Sequence, residues 1–396
     1  MMLPSFNATR DIHQDYLMGL ALQHGQDPYQ PIPKLWNDYL HSPYTGGLRH
    51  PSPHLPVMAA IFLPLSYLPF WSVSLLWFLG SVLAVWCGIG LLLKALDSKL
   101  EYRPALFAIF ALSVAGRHEL LMGQVNSILF LFLALTYLFV RSGRDWISGL
   151  FLGLTLALKL FGIPILIFLL LKGKLNSVTS ALATFLLVTS LVSLLSGGTI
   201  LNSYIEQSLP TSSKLYTGHL ANLSAENILT RLVTNYHASK NEGGNIQVAL
   251  SNDPKDSSDG SPMLYSAIFG GIIIVLILTC TLQVEFEAGF HKALILSCIA
   301  SPVAWTHYLV ALLVTVIYLT VQLAKSTTYS FISKELFVIM LLLVPMIFDP
   351  GLIGLSIFGW LNAPSIDILV PFWVNLLYLA STLSLLTSSW FLSRVR

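Results

Sequence analysis

WSVSLLWFLGSVLAVWCGIGLLL, residues 71–93, carries no charge from end to end. A helix needs roughly 20 apolar residues to cross about 30 Å of hydrocarbon, and this run is long enough. In lipid a helix satisfies its own backbone hydrogen bonds, whereas an open strand leaves them unpaired. The stretch therefore reads as a membrane span, and it sets the reading of its surroundings. Further apolar segments run at about 104–116, 124–140, 146–171, 177–196, 264–283, 291–304, 308–324, 335–348 and 369–391. Composition agrees, because 55% of the 396 residues are hydrophobic and 10% charged, with a mean hydropathy of +0.73. So few charges cannot cover a water-soluble surface of this size. The expected fold class is an all-α polytopic membrane protein with about eleven crossings.

The flanking segments divide the chain. Residues 1–70 read as an outer loop with short interfacial helices, since 55–70 is apolar but interrupted by Pro56, Pro64 and Pro69. Residues 71–196 form a first set of spans, 197–263 a long outer loop, and 264–396 a second set. The 146–171 run carries Lys159, Gly162 and Pro164 at its middle. A charge and a helix breaker at one depth predict two short segments meeting in a bend. With that hairpin and an outer N-terminal segment, the inner loops collect Lys94, Lys99, Arg103, Arg141, Arg144, Lys172, Lys174, Lys292, Lys325, Lys334, Arg394 and Arg396. This is the basic bias that marks a cytoplasmic face, and the polar motifs fall on the other side. The net charge of +2 and the lack of any long Lys/Arg run exclude a nucleic-acid surface. Cys87, Cys280 and Cys298 lie inside apolar runs and read as packing residues. The chain contains no HExxH, Gly-rich phosphate loop or nucleophile elbow.

Chemistry is expected at the few polar positions that face the spans. Asp11 and Asp15, four apart, share one face of a helix, where a shielded carboxylate could act as general base toward a hydroxyl; Asp11 is equally suited to cap that helix. GQVN, residues 123–126, offers the amides of Gln124 and Asn126 either to a sugar or to neighbouring helices. Arg117, His118 and Glu119, just before it, read as interfacial polar residues. Lys159 is the clearest single signal, because a lysine in an apolar run is costly and usually faces a cavity or a partner; a snorkelling side chain is the alternative. SPVAWTHY, residues 301–308, breaks another apolar region with Trp305, His307 and Tyr308, which are belt residues or part of a site.

Taken together these motifs resemble glycosyltransferase family 87, the polyprenol-phosphate-mannose-dependent mannosyltransferases. The pattern D-x-x-x-x-Y-(x)8-G-x-x-P-Y is met by Asp11, Tyr16, Gly25, Pro28 and Tyr29. It is followed in order by PHLP around His54, by GQVN, by GLFLGLTLALKLFGIP ending at Pro164, by ANLSAENILTRL with Asn222 and Arg231, and by SPVAWTHY. The resemblance implies a GT-C fold with its site on the outer face of the plasma membrane. It also implies a lipid-phosphate sugar donor, a lipid or glycan acceptor, and inversion at the sugar. Asp11 matches the family's first-loop aspartate, taken as the base. Lys159 and His307 match positions near the donor phosphate. Asp15, Tyr16, His54, Arg117, Gln124, Asn126, Asn222, Arg231, Trp305 and Tyr308 would line the substrates. The residues demand no metal or other cofactor, though carboxylates at the site could hold a divalent ion. The family places a spanning helix before the first-loop aspartate, and ten residues precede Asp11 here. A lipid-linked-glycan flippase, a solute transporter and a catalytically silent homologue are the competing readings.

Overall fold

The computed structural model describes residues 11–41, 44, 49–211, 224, 285–299, 301 and 306–325. Among the described residues all regular structure is helical. The spans expected at 264–283, 335–348 and 369–391 lie outside the described residues, as do Asn222, Arg231, Cys280 and Trp305.

Among the described residues two helices are long and apolar enough to cross a membrane, α4 (Phe70–Ala95) and α10 (Leu175–Leu195). At 1.5 Å per residue they measure roughly 39 and 31 Å. Before them come α1 (Asp11–Gln23), α2 (Ile32–Leu40) and α3 (Pro56–Leu65). Between them lie α5 (Arg103–Leu112), α6 (Val114–Met122), α7 (Asn126–Arg141), α8 (Asp145–Leu158) and α9 (Ile163–Leu171). After α10 the described part resumes with α11 (Phe286–Ile299) and α12 (Leu313–Lys325). Among the described residues two helices are that long, or three if the bent pair Leu100–Leu112 and Val114–Met122 is one span; the eleven expected crossings include segments outside the described residues.

That bent pair corrects the single segment expected at 104–116. The two arms meet at 71° because Ser113 leaves the helix in an extended conformation. Its hydroxyl donates to the Phe110 carbonyl at 2.7 Å and accepts the Gly116 amide at 2.9 Å. One serine thus ends α5 and caps α6.

The run at 146–171 doubles back as expected. Gly149 and Gly153 of α8 lie against Ser177 and Ala181 of α10, so close that a Cβ would come within 2.2 Å of the Ser177 carbonyl and 2.5 Å of the Ala181 carbonyl. Equal spacing in the same order means that α8 and α10 run parallel. Lys174 also pairs with Asp145 at 3.2 Å, although a straight rod over the intervening residues would separate them by roughly 43 Å. Only a reversal at Lys159 brings α9 back to the level where α8 began.

The helices therefore have two distinct ends. At one, Arg141 reaches Asp97 and Glu287 at 3.4 and 3.3 Å, and Lys325 donates to the Leu96 carbonyl at 2.7 Å. At the other lie the starts of α4 and α7, the Lys159 tip and the turn Thr306–Val310. The larger core, with Leu92, Phe130, Phe168, Phe290 and Val314, fills the bundle between them. A second cluster, with Ile12, Met58, Phe62, Trp77 and Val125, fastens α1 and α3 over the second end. The segment expected as interfacial is thus a cap with a buried inner face: Gly19 of α1 lies where a Cβ would meet the Phe62 carbonyl at 2.5 Å.

Candidate active site

Beneath this cap the polar residues converge. Asp11 opens α1 and keeps partial exposure, while Asp15, one turn on, is buried. The capping role open to Asp11 is not what its oxygens do. Gln14 Nε2 donates to Oδ1 at 2.9 Å, and Gln124 Nε2 donates to Oδ2. Gln124 reaches it because Gly123 ends α6 at φ +67°, a conformation that glycine adopts freely. Its backbone is held by Trp77, whose Nε1 donates to the Gln124 carbonyl at 3.2 Å. Trp77 lies about two turns inside α4, so the floor of the site is recessed below that helix's start. A Cβ at Gly123 would come within 2.7 Å of the Ile12 Cβ, which lets α1 pack directly on the turn.

Asp15 pairs with His54 through Oδ1 and Nδ1 at 2.6 Å. Tyr29 in turn donates its hydroxyl to the His54 carbonyl at 2.7 Å and so anchors the connection into α3. Burial raises the Asp11 carboxyl above its ordinary 3.8, and the neighbouring His54 and the Gln124 hydrogen bond offset this only in part. His50, buried nearby with Nδ1 2.7 Å from the Pro51 carbonyl, is lowered by burial and also senses Asp11.

A second strand of the network carries the cation. Glu119, 1% exposed, accepts from the Ser127 amide at 2.7 Å and from Asn126 Nδ2 at 2.8 Å. The carboxylate thus caps the positive end of α7. Asn126 Oδ1 accepts from Lys159 Nζ at 3.0 Å, and that ammonium lies 3.7 Å from the centre of the Tyr308 ring. His307, in the turn Thr306–Val310, is buried with Nδ1 3.4 Å from Nδ1 of His118. Burial, then the charge of Lys159, holds His307 well below its ordinary value and keeps it neutral.

Of the residues singled out from sequence, Asp11, Asp15, His54, Gln124, Asn126, Lys159, His307 and Tyr308 are therefore brought together. Tyr16 is not: its hydroxyl donates to the Leu68 carbonyl at 2.9 Å and its ring stands edge-on to Phe70, fastening α1 to the entry of α4. Arg117 is exposed, on the outward side of α6. The expectation that His118 and Glu119 are merely interfacial is overturned, because both belong to the cluster. Gln14 was also passed over. A lone acid seven residues before an asparagine, in a chain with one lysine deep in an apolar run, was the signal for Glu119. In GQVN both side-chain amides fasten helices, Gln124 tying α6 to Asp11 and Asn126 tying α7 to Lys159, while the Gln124 carbonyl oxygen has no protein donor.

The sequence profile of glycosyltransferase family 87 matches residues 55–302. The chain belongs to glycosyltransferase family 87. It is thus a membrane glycosyltransferase, working on a sugar donor and an acceptor. The family-87 match includes Glu119, Gln124, Asn126 and Lys159, and stops short of Asp11 on one side and His307 on the other. A search of curated proteins gave no match.

Proposed function

We propose that this family-87 protein transfers a hexose, mannose by resemblance, from a polyprenyl-phosphate carrier to a lipid or glycan acceptor at the outer face of the plasma membrane. A GT-C arrangement with about eleven crossings goes with this reading. The observation that carries it is the gathering, in one recessed cluster, of the Asp11 carboxylate, held by Gln14 and Gln124, and the Lys159 ammonium, which feels the charges of Asp11 and Asp15. One suits a proton to be taken up, the other a negative charge to be held.

The chemistry is a single displacement. The acceptor oxygen attacks the anomeric carbon, and the bond from that carbon to the phosphate oxygen breaks with its electron pair leaving on polyprenyl phosphate. The acceptor proton passes to Asp11. Lys159 meets the growing phosphate charge, and neutral His307 adds a hydrogen bond rather than a second cation. Attack opposite the leaving group inverts the centre. The Asp15–His54 pair ties α1 to the connection into α3, so that Asp11 is presented in a fixed orientation. The scheme needs no metal, and transfer should persist in excess chelator. Arg231, Asn222 and Trp305 remain proposed contacts to donor or acceptor.

The basic residues gather at the end away from the site, which supports an outward-facing site by the usual charge bias. A site floor two turns below the start of α4 suits a donor whose tail stays in lipid while its phosphate reaches protein. Membership of a transferase family favours this reading over transport. The test is transfer of radiolabelled mannose from polyprenyl-phosphate mannose to lipids and glycans of the source cell, in liposomes, by wild type, Asp11→Asn and His307→Ala. Transfer by wild type that vanishes in folded Asp11→Asn supports the assignment. Failure of wild type with every polyprenyl-phosphate sugar overturns it.

A further inference from the structure

Two glutamines bracket Asp11, one on each oxygen. A carboxylate only accepts hydrogen bonds, so each amide must turn its NH2 toward Asp11 and its carbonyl away from it. Both side chains are deeply buried, Gln14 at 3% and Gln124 at 4% exposure, and both carbonyl oxygens are enclosed without a protein donor. Buried carbonyls nearly always find a donor. Each of these lies within roughly 5 Å of the carboxylate, given one hydrogen bond and the width of an amide. Neither glutamine is free to swing elsewhere: Gln14 sits in the buried stretch of α1, and Gln124 is pinned through its backbone by Trp77.

We infer that Gln14 and Gln124 form the acceptor subsite, receiving on their carbonyl oxygens the hydroxyls that neighbour the one deprotonated by Asp11. The acceptor is then a vicinal polyol, such as a glycan ring, rather than an isolated alcohol. This rests on Asp11 acting as the base. As the reacting oxygen bonds to the anomeric carbon and its proton moves to Asp11, the adjacent hydroxyls stay bonded to the two amides and hold the ring in register. Neutral amides give this selection without placing another charge beside the donor phosphate. A site built to bond a hydroxyl rejects the analogue lacking it far more strongly than an apolar pocket does.

The experiment uses the full chain in liposomes with radiolabelled polyprenyl-phosphate mannose. The acceptors are octyl α-mannoside, its four monodeoxy analogues, and octanol. Wild type should use the mannoside and not octanol, and loss of a hydroxyl next to the attacked one should lower kcat/KM by roughly tenfold to a hundredfold. Gln14→Met and Gln124→Met should each lower transfer to the intact mannoside by a similar factor. In each variant the penalty for one deoxy analogue should disappear. The deoxy series in wild type stands even if a variant misfolds. Equal use of octanol, or variants in which every deoxy penalty persists, overturns this inference while leaving the transferase reading intact. Absence of all transfer by wild type overturns both.

Discussion

At Asp11, burial works against the charge that catalysis needs. A carboxyl whose folded-state pKa lies above its unfolded value stabilises the fold most at low pH, and that contribution is lost as pH rises through the folded pKa. At neutral pH the ionised group is therefore a strain on the fold, and Asp11→Asn should leave the melting temperature unchanged or raised while transfer falls by about 100-fold to 10,000-fold. In wild type, kcat/KM should fall on acidification through an apparent pKa above the ordinary 3.8; a pH–rate profile with no such limb would exclude Asp11 as the base. Glu119 plays a structural part. It satisfies two donors at the start of α7 and, through Asn126, sets the position of Lys159. Glu119→Ala leaves both donors unpaired and should cost about 2–3 kcal/mol of stability, read as a fall in melting temperature together with the loss of kcat expected of Lys159→Met. Lys159 was legible in the sequence because its charge stands alone among apolar residues. Glu119 was not, because Arg117 and His118 beside it give the stretch the look of a wet helix end.

Elements here are shaped by close backbone approach. Because α8 and α10 touch through Gly149 and Gly153, either Gly149→Leu or Gly153→Leu must push the helices apart. Both substitutions should lower the melting temperature by several degrees and reduce transfer, since α8 carries Lys159 at its end; a variant of unchanged stability would show that the contact is dispensable. The reversal after α8 was readable from Lys159, Gly162 and Pro164, which place a charge and helix breakers in one turn. The break between α5 and α6 was not, for Ser113 is an ordinary residue within an apolar run. What ends the helix there is a local hydroxyl bonded to Phe110 and Gly116, a conformation that apolar periodicity does not report.

On the scale of the molecule, a cap of short helices closes the recessed end of a bundle whose opposite end is basic. The proposed orientation predicts the pattern of labelling by a membrane-impermeant maleimide in a variant without native cysteines. Gln26→Cys, exposed beside the cap, should react in intact cells, and Ser142→Cys, exposed in the turn after α7, only in inverted vesicles; the reverse pattern would invert the site. The sequence by itself determined that the chain is helical and membrane-embedded, because the cost of burying charge and unpaired backbone in lipid is paid residue by residue and so is written along the chain. It also marked Asp11, Lys159 and His307 as the polar exceptions. Only the tertiary structure decided which exceptions belong together. Gln14 and Gln124 on the two oxygens of Asp11, and Glu119 behind Asn126 and Lys159, are relations between separate helices. Such relations depend on distances through space, and spacing along one helix cannot encode them.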